Sequence, residues 1–274
     1  MENKSISILG CGWLGLAFGK KLVSEGWNVK SSSRQYEKTA LFQKFNIRNF
    51  VIDLNPHVNG NIPVFLDSEI LMISIPPSIR TQSAGFHVRQ MENLIPHIQK
   101  STIKNIIYIS STSVYPDLDR TFAEGDISKE TPLGHADIFF AEEKLKEALQ
   151  DRLTILRCGG LTGYDRLLAK YFAGRKEILG GHVPVNLVHR DDVISVISSI
   201  IEKNIWGKTF NVVAGNHPTR KEFYTFEAKK YGMQAPEFSE ETVTPWKIID
   251  NSKLVKELGY NFIYNDPHNF AYLV

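Results

Sequence analysis

Residues 5–22, SISILGCGWLGLAFGKKL, set a short apolar run directly before Gly10, Gly12 and Gly15 and a helical pattern directly after them. In that context the G-x-G-x-x-G spacing is demanding. Gly10 makes a tight turn, Gly12 offers no side chain so that backbone can approach a pyrophosphate, and Gly15 lets helix and strand pack closely. The N–H groups around Trp13 and Leu14, at a helix N-terminus, would then hold the phosphates. A chain that opens this way is committed to a strand, a turn and a helix, and so to a sheet that continues in the same manner.

The rest of the chain keeps that rhythm. Strands are expected at 5–9, 28–33, 49–54, 69–75, 104–110 and 152–157, and helices at 13–26, around 82–99 and at 138–150. That β-then-α alternation, with apolar runs wanting cover on both faces, calls for a parallel sheet wrapped by helices. The expected class is α/β, a doubly wound parallel sheet of Rossmann type with a small C-terminal α+β substrate lobe. Residues 1–160 would form the dinucleotide-binding domain, with strand contributions also from 180–215. Residues 161–274 would form the lobe, packed as one unit with the first. Within it we expect a helix near 164–173, a strand at 183–188, a helix at 191–202, a strand at 209–214, and helices around 219–231 and 252–258.

Composition narrows the function classes. The chain has 274 residues, 42% of them apolar, which is ample for a sizeable core. Thirty-two Lys+Arg against thirty Asp+Glu give a formal charge of +2 with no basic block, so neither nucleic acid nor a membrane is an expected partner. The N-terminal pattern is not that of a leader, and a cytoplasmic location is expected. Cys11 and Cys158 cannot build a disulfide framework, and both read as small hydrophobes in a reducing compartment.

The end of the second strand selects the dinucleotide. An acid there would chelate the ribose hydroxyls of NAD, but this chain has Ser32, Ser33 and Arg34, with no acid until Glu37. A planar, always charged guanidinium beside small hydroxyls suits a 2′-phosphate, so NADP is preferred over NAD. Asp53 and Leu54 end the third strand. There Asp53 either accepts from the adenine amino group or caps the following turn. Ile75, Pro76 and Pro77 stop the fourth strand and offer a rigid apolar ledge for the middle of the cofactor.

Taken in order, GCGWLG, VIDL, ISIPPS, YISSTSVYP, AEEKL, LRCGGLTG, NLVHRDDV, FNVVAGNHPTRKEFY and LGYNFIYNDP resemble an extended, atypical short-chain dehydrogenase/reductase. Within that superfamily the chain is most similar to the bacterial YeeZ-like group, NAD(P)-dependent epimerase/dehydratase-like. The resemblance spans nearly the whole chain. It implies a bound nicotinamide cofactor, and oxidoreductase or epimerase-like chemistry on a small carbonyl or sugar-like substrate. Ser111, four residues before Tyr115, takes the position of the Ser/Thr that hydrogen-bonds the reacting oxygen. Ser110 is grouped with the cofactor contacts, although Ser110, Thr112 and Ser113 also read as satisfying backbone groups where the strand ends. Cys158, Gly159, Gly160 and Leu161 take positions where relatives run past the nicotinamide. Asp191 and Asp192 in VHRDDV read as a helix cap.

The chain departs from the family at its Tyr-x-x-x-Lys pair. In active relatives the phenol passes a proton to or from the substrate oxygen while Lys, one turn away, lowers its pKa. Here Phe140 and Lys144 keep the spacing without a phenol. Aligning instead on the Ala-Glu of FFAEEKL puts the Tyr position at Gly134 or His135 and the Lys position at Ile138 or Phe139. His135, Tyr164 and Tyr115 are the available substitutes, each with a plain structural alternative. A catalytically silent NADP-binding sensor is therefore the competing reading. No metal-ligand spacing, G-x-S-x-G elbow or phosphate-binding Gly-Lys-Ser/Thr loop occurs.

Overall fold

The structure, a computed structural model, describes residues 4–77, 81–241 and 243–273. In chain order its strands are β1 (Ser5–Leu9), β2 (Asn28–Ser33), β3 (Arg48–Val51), β4 (Ile70–Ile73), β5 (Asn105–Ser111), β6 (Arg120–Phe122), β7 (Leu153–Cys158), β8 (Gly160–Thr162), β9 (Leu187–His189), β10 (Thr209–Val212) and β11 (Lys247–Ile249). Its α-helices are α1 (Trp13–Ser24), α2 (Thr39–Gln43), α3 (Ile62–Phe65), α4 (Phe86–Gln99), α5 (Ala136–Leu149), α6 (Arg190–Lys203), α7 (Arg220–Lys230) and α8 (Ser252–Leu258). Among the described residues one sheet has seven strands in the order β10-β7-β5-β4-β1-β2-β3. The pairs β1–β2, β1–β4, β2–β3 and β4–β5 are parallel. The strand order reverses direction at β1/β4, the switch point beside which open α/β sheets bind ligands. The doubly wound Rossmann-type sheet expected from the sequence is therefore present.

The chain divides into two compact units. The first comprises Met1–Ser110, Ala136–Leu156 and Asn204–Thr209; the second comprises Ser111–His135, Arg157–Lys203 and Phe210–Val274. In the first, β1 and β4 are buried along their whole lengths. Leu71, Ile73, Leu94, Ile106 and Leu145 belong to one core. α1 lies close to β1 because Gly15 faces Ile8, whose Cγ2 would stand 2.9 Å from a Cβ at that position. Burying Phe18 and Leu22 on the same helix contributes roughly 1.5–3 kcal/mol each. Several buried polar residues of this unit are satisfied, although the Thr154 hydroxyl has no partner among the described residues. The Ser7 hydroxyl donates to the Phe65 carbonyl, and Lys30, buried in β2, donates to the carbonyls of Val64 in α3 and Asp67 beyond it.

In the second unit Leu187, Ala214, Phe223, Tyr224 and Phe270 form a separate core. Here the sequence expectations need correction. Residues 164–173 hold only a 3₁₀ turn, Leu168–Tyr171, because Tyr164 takes φ +51° and residues 163–166 close an antiparallel bridge. The strand expected at 183–188 is β9, which pairs with β8 in a two-stranded sheet of its own. Of the 180–215 region only β10 joins the central sheet. A parallel β6–β11 pair was not anticipated. Three-residue strands such as these carry too little periodicity to be read. Among the described residues no helix is long and apolar enough to cross a membrane.

Candidate functional site

The glycine turn is built as its spacing predicts. Gly10 has φ +81°, and a Cβ there would stand 2.5 Å from Ile75 Cγ2 and 2.8 Å from the Ser74 carbonyl oxygen. Its N–H donates to Ser32 Oγ at 2.9 Å and that of Cys11 to the Ser32 carbonyl at 3.0 Å, while Ser74 N–H donates to Leu9 O at 2.8 Å. The ends of β1, β2 and β4 are thus fastened around the turn. Gly12 is different: a Cβ there would have no heavy atom nearer than 3.9 Å, so the space above it is open. α1 then starts with neither a capping side chain nor an acid in its first turn, and its ladder opens with Leu16 N–H donating to Gly12 O. An uncapped helix start beneath open space is the cradle that a pyrophosphate requires.

The residues expected around the adenosine fall into two groups. Arg34 is exposed just beyond β2, and no carboxylate occupies the ribose-chelating position. Ser33 lies beside it, but its one hydroxyl hydrogen is given to the Gln35 carbonyl at 2.8 Å, so it cannot also donate to a phosphate. Asp53 caps the turn that follows, its Oδ1 accepting from Asn55 N–H at 3.1 Å. The Leu54 side chain is buried in the first unit's core. Ile75 covers Gly10, Pro76 is exposed and Pro77 half-buried, as a ledge beyond β4 would be. Ser110 is buried and donates to Glu142 Oε1 at 2.5 Å, which turns it inward.

In the second unit Ser111 ends β5 and caps the 3₁₀ turn that follows. Its Oγ accepts from the Ser113 N–H at 3.1 Å and from the Ser113 hydroxyl at 2.8 Å. With both acceptor positions engaged, the hydroxyl hydrogen of Ser111 remains for an outside acceptor. The loop carrying His135 lies along this turn: Gly134 N–H donates to Val114 O and His135 N–H to Ser113 O, each at 2.9 Å. His135 is exposed. Gly134 approaches so closely that a Cβ there would stand 2.2 Å from the Ser113 carbonyl oxygen. A tyrosine cannot occupy that alignment position in this backbone.

The alignment on Phe140 and Lys144 offers no phenol either. Phe139 is buried, Phe140 is 40% exposed, and Lys144 pairs at the surface with Glu92 at 3.3 Å. Tyr115 is fully buried. Its hydroxyl donates to Asn211 Oδ1 at 2.7 Å and accepts from Arg157 at 2.8 Å, and burial pushes its pKa up to about 12 despite the guanidinium. Tyr164 donates to Asp191 Oδ2 at 2.6 Å beneath the Arg190 guanidinium, and that hydrogen bond, aided by burial, also raises its pKa to about 12.

Cys158 is buried with its thiol pushed up to about 12 by desolvation, so it behaves as a small hydrophobe. Gly159 N–H donates to Val212 O, and a Cβ there would meet Asn186 O and Val213 at 2.7 Å. Gly160 is exposed and Leu161 half-buried on β8. The expected Asp191–Asp192 cap is corrected: α6 begins at Arg190, so both lie inside its first turn. Asp192 is fully buried and accepts from Tyr260 Oη, Ile263 N–H and Tyr264 N–H at 2.9, 2.7 and 3.1 Å. Burial raises its pKa, opposed by those donors. Among the described residues no group of three His, Cys, Asp or Glu could hold a metal.

Two groups escaped the sequence reading, Ser113 as the partner of Ser111 and Glu142 as the partner of Ser110. The only available signal was the density of hydroxyls in SSTS facing a helix with a Glu inside its apolar stripe.

A seven-stranded sheet switching at β1/β4, with a glycine turn after its first strand, is a Rossmann-like α/β fold. The chain shares that fold, with a TM-score of 0.76, with UDP-glucuronic acid 4-epimerase from Bacillus cereus in complex with NAD, at 18% identity over 97% of this chain and 95% of that one. It shares it also with UDP-glucose 4-epimerase from Thermotoga maritima (TM-score 0.73, 16% identity, 94% of each chain). A functionally unknown conserved protein from Silicibacter pomeroyi DSS is similar too (TM-score 0.77, 17% identity, 97% and 95%). No family model matches the sequence. It is 30% identical over 276 residues to Protein YeeZ of Escherichia coli (strain K12), covering 96% of this chain and 97% of the relative. The chain belongs to the YeeZ family.

Proposed function

We propose that this protein binds a nicotinamide dinucleotide, prefers NADP to NAD, and is an oxidoreductase or epimerase-like enzyme acting on a small carbonyl or sugar-like substrate. The observation that carries the reading is the turn at Gly10–Gly15, where crowding at Gly10 and Gly15 contrasts with open space at Gly12. The NAD complex of the Bacillus cereus epimerase, on the same fold, supports it. Gly12, Leu14 and the first turn of α1 hold the pyrophosphate; Arg34 takes the 2′-phosphate, since Ser33 has no hydrogen to give. When bound, the dinucleotide supplies hydride transfer. Ser111 directs its hydroxyl hydrogen at the substrate oxygen, and exposed His135, on the neighbouring loop, exchanges the proton.

A second reading, a silent NADP-binding module, draws on Gly134, which leaves no room for a phenol, and on Lys144, committed to Glu92. The first test is thermal: NADPH raises the melting temperature more than NADH does, through ligand linkage. Equal shifts would remove the NADP preference, and no shift with either would remove both readings. Incubation of the NADPH complex with aldehydes, ketones and nucleotide sugars then separates them. Turnover that Ser111→Ala abolishes leaves the silent module untenable.

A further inference from the structure

Glu227, in the middle of α7, has no exposed surface, and neither of its carboxyl oxygens has a hydrogen-bond partner among the described residues. Leaving such a group without donors is costly when it is charged. The nearest cation is Lys230, one turn along. Its Nζ stands 3.9 Å from Glu227 Oε1, while its hydrogen bond goes to the carbonyl of His268 at 3.1 Å. From the C-terminal segment Tyr272 faces the same carboxyl, its hydroxyl 3.1 Å from that of Thr162 in β8. Tyr224 of α7 and Tyr231, just beyond its end, lie near Tyr272 in turn.

That C-terminal segment does more than cover a core. Tyr164 N–H donates to Ala271 O at 2.7 Å and Leu273 N–H donates to Tyr164 O at 3.1 Å. Tyr164 has φ +51°, a conformation costing on the order of 1–2 kcal/mol that persists only where its surroundings enforce it. Residues 271–273 are that enforcement.

We propose that residues 268–273 form a strap whose hold on Tyr164 is set by protonation of Glu227. With Glu227 neutral, Lys230 is free to hold the His268 carbonyl and Tyr272 packs against an uncharged carboxyl. Once ionised, the buried carboxylate needs donors. Lys230 is drawn off His268, or the strap lifts to admit water. Either response loosens the two backbone hydrogen bonds that keep Tyr164 in its strained pose. Burial pushes the carboxyl up to about 7, so the change falls in the neutral range. The inference goes beyond cofactor binding and requires none of it.

The sign follows from linkage. An acid whose pKa is raised from 4.5 in the closed form stabilises closure fully below 4.5, and loses that contribution as pH rises toward about 7. The test is amide hydrogen exchange at Tyr164 and Leu273 in the intact protein from pH 5 to 8, corrected for intrinsic exchange chemistry. In the wild type the opening constant of these two amides rises up to about tenfold per pH unit between pH 5 and 7 and then levels off. In Glu227→Gln that slope disappears. His189, which bonds the Ala271 carbonyl, and Asp191, which holds the Tyr164 hydroxyl, are present in both proteins, so a difference between them is assigned to Glu227. An equal slope in the two proteins, or none in the wild type, overturns the proposal. Should Glu227→Gln fail to fold by circular dichroism, Lys230→Met decides. Removing the cation extends the rising slope above pH 7, and an unchanged window overturns the proposal.

Discussion

Tyr164 gives its phenolic hydrogen to Asp191 across 2.6 Å, and a carboxylate accepting that hydrogen holds it on the phenol. The hydroxyl is raised to about 12, with Arg190 opposing. A phenol that serves as a family-type acid needs the opposite shift, toward neutrality. Difference absorbance at tyrosinate wavelengths, with Tyr164→Phe as the subtracted reference, should show no ionisation of Tyr164 below about pH 11. Asp191→Asn should bring the transition back toward the ordinary value. A wild-type transition near pH 10 would mean that the hydrogen bond does not persist in solution.

Gly10 and Gly12 separate folding from binding. Gly10→Ala places a methyl against Ile75 and the Ser74 carbonyl at positive φ, and should cost about 2–4 kcal/mol in urea denaturation. Gly12→Ala meets nothing within 3.9 Å, so its unfolding midpoint should stay close to wild type. Its NADPH affinity, measured by calorimetry, should fall tenfold or more. Normal affinity in Gly12→Ala would move the pyrophosphate elsewhere.

Three histidines make the fold sensitive to acid. His87, His189 and His217 are all lowered from 6.5, burial being the leading cause in each. Bases held neutral in the fold contribute stability that is complete above about pH 6.5 and is lost as pH falls below it. His87 Nδ1 lies 3.0 Å from Gln90 Oε1, to which it donates, and its Nε2 lies 2.7 Å from Tyr108 Oη, so protonating it buries a charge and reverses the bond to Tyr108. His87→Gln should flatten the dependence of unfolding free energy on pH between 6.5 and 5 by up to about 1.4 kcal/mol per unit. An unaltered slope would mean that His87 takes up its proton without unfolding.

Arg157 braces the turn that carries Ser111. Fully buried, it donates to Tyr115 Oη at 2.8 Å and to the Glu124 carbonyl at 3.0 Å, while Glu124 Oε1 accepts from Asn211 N–H. Arg157→Met strands these acceptors and should cost roughly 3–5 kcal/mol. Tyr115→Phe removes only the shared hydroxyl, and about 1–2 kcal/mol is expected by chemical denaturation. Losses of equal size would show that Arg157 acts through Tyr115 alone.

The alternation of apolar runs and helices predicted the sheet because its inner strands β1 and β4 are buried along their whole lengths and are largely apolar, so their burial is written into residue type. Gly10, Gly12 and Gly15 were legible for a similar reason: their roles are steric and local. The second unit was harder. Its strands β6, β8, β9 and β11 are three residues each, and Tyr164 adopts a left-handed conformation that its residue type disfavours. Asp192 read as a cap because its partners, Tyr260 and the amides of Ile263 and Tyr264, lie some seventy residues away. Likewise, the turn-capping role of Asp53 becomes visible only with Asn55 N–H at 3.1 Å from its Oδ1.

Gly134 has a consequence for engineering. The obvious experiment on a chain lacking its Tyr-x-x-x-Lys pair is to put the pair back. At position 134 the first carbon of any side chain would overlap the Ser113 and Tyr115 carbonyl oxygens, at 2.2 and 2.5 Å. No rotamer relieves a clash made by Cβ itself. A designer who wants a phenol here must first lengthen the loop around residues 131–135, giving up the hydrogen bonds by which it grips the serine turn. Point substitution alone cannot retrofit the missing chemistry at that position.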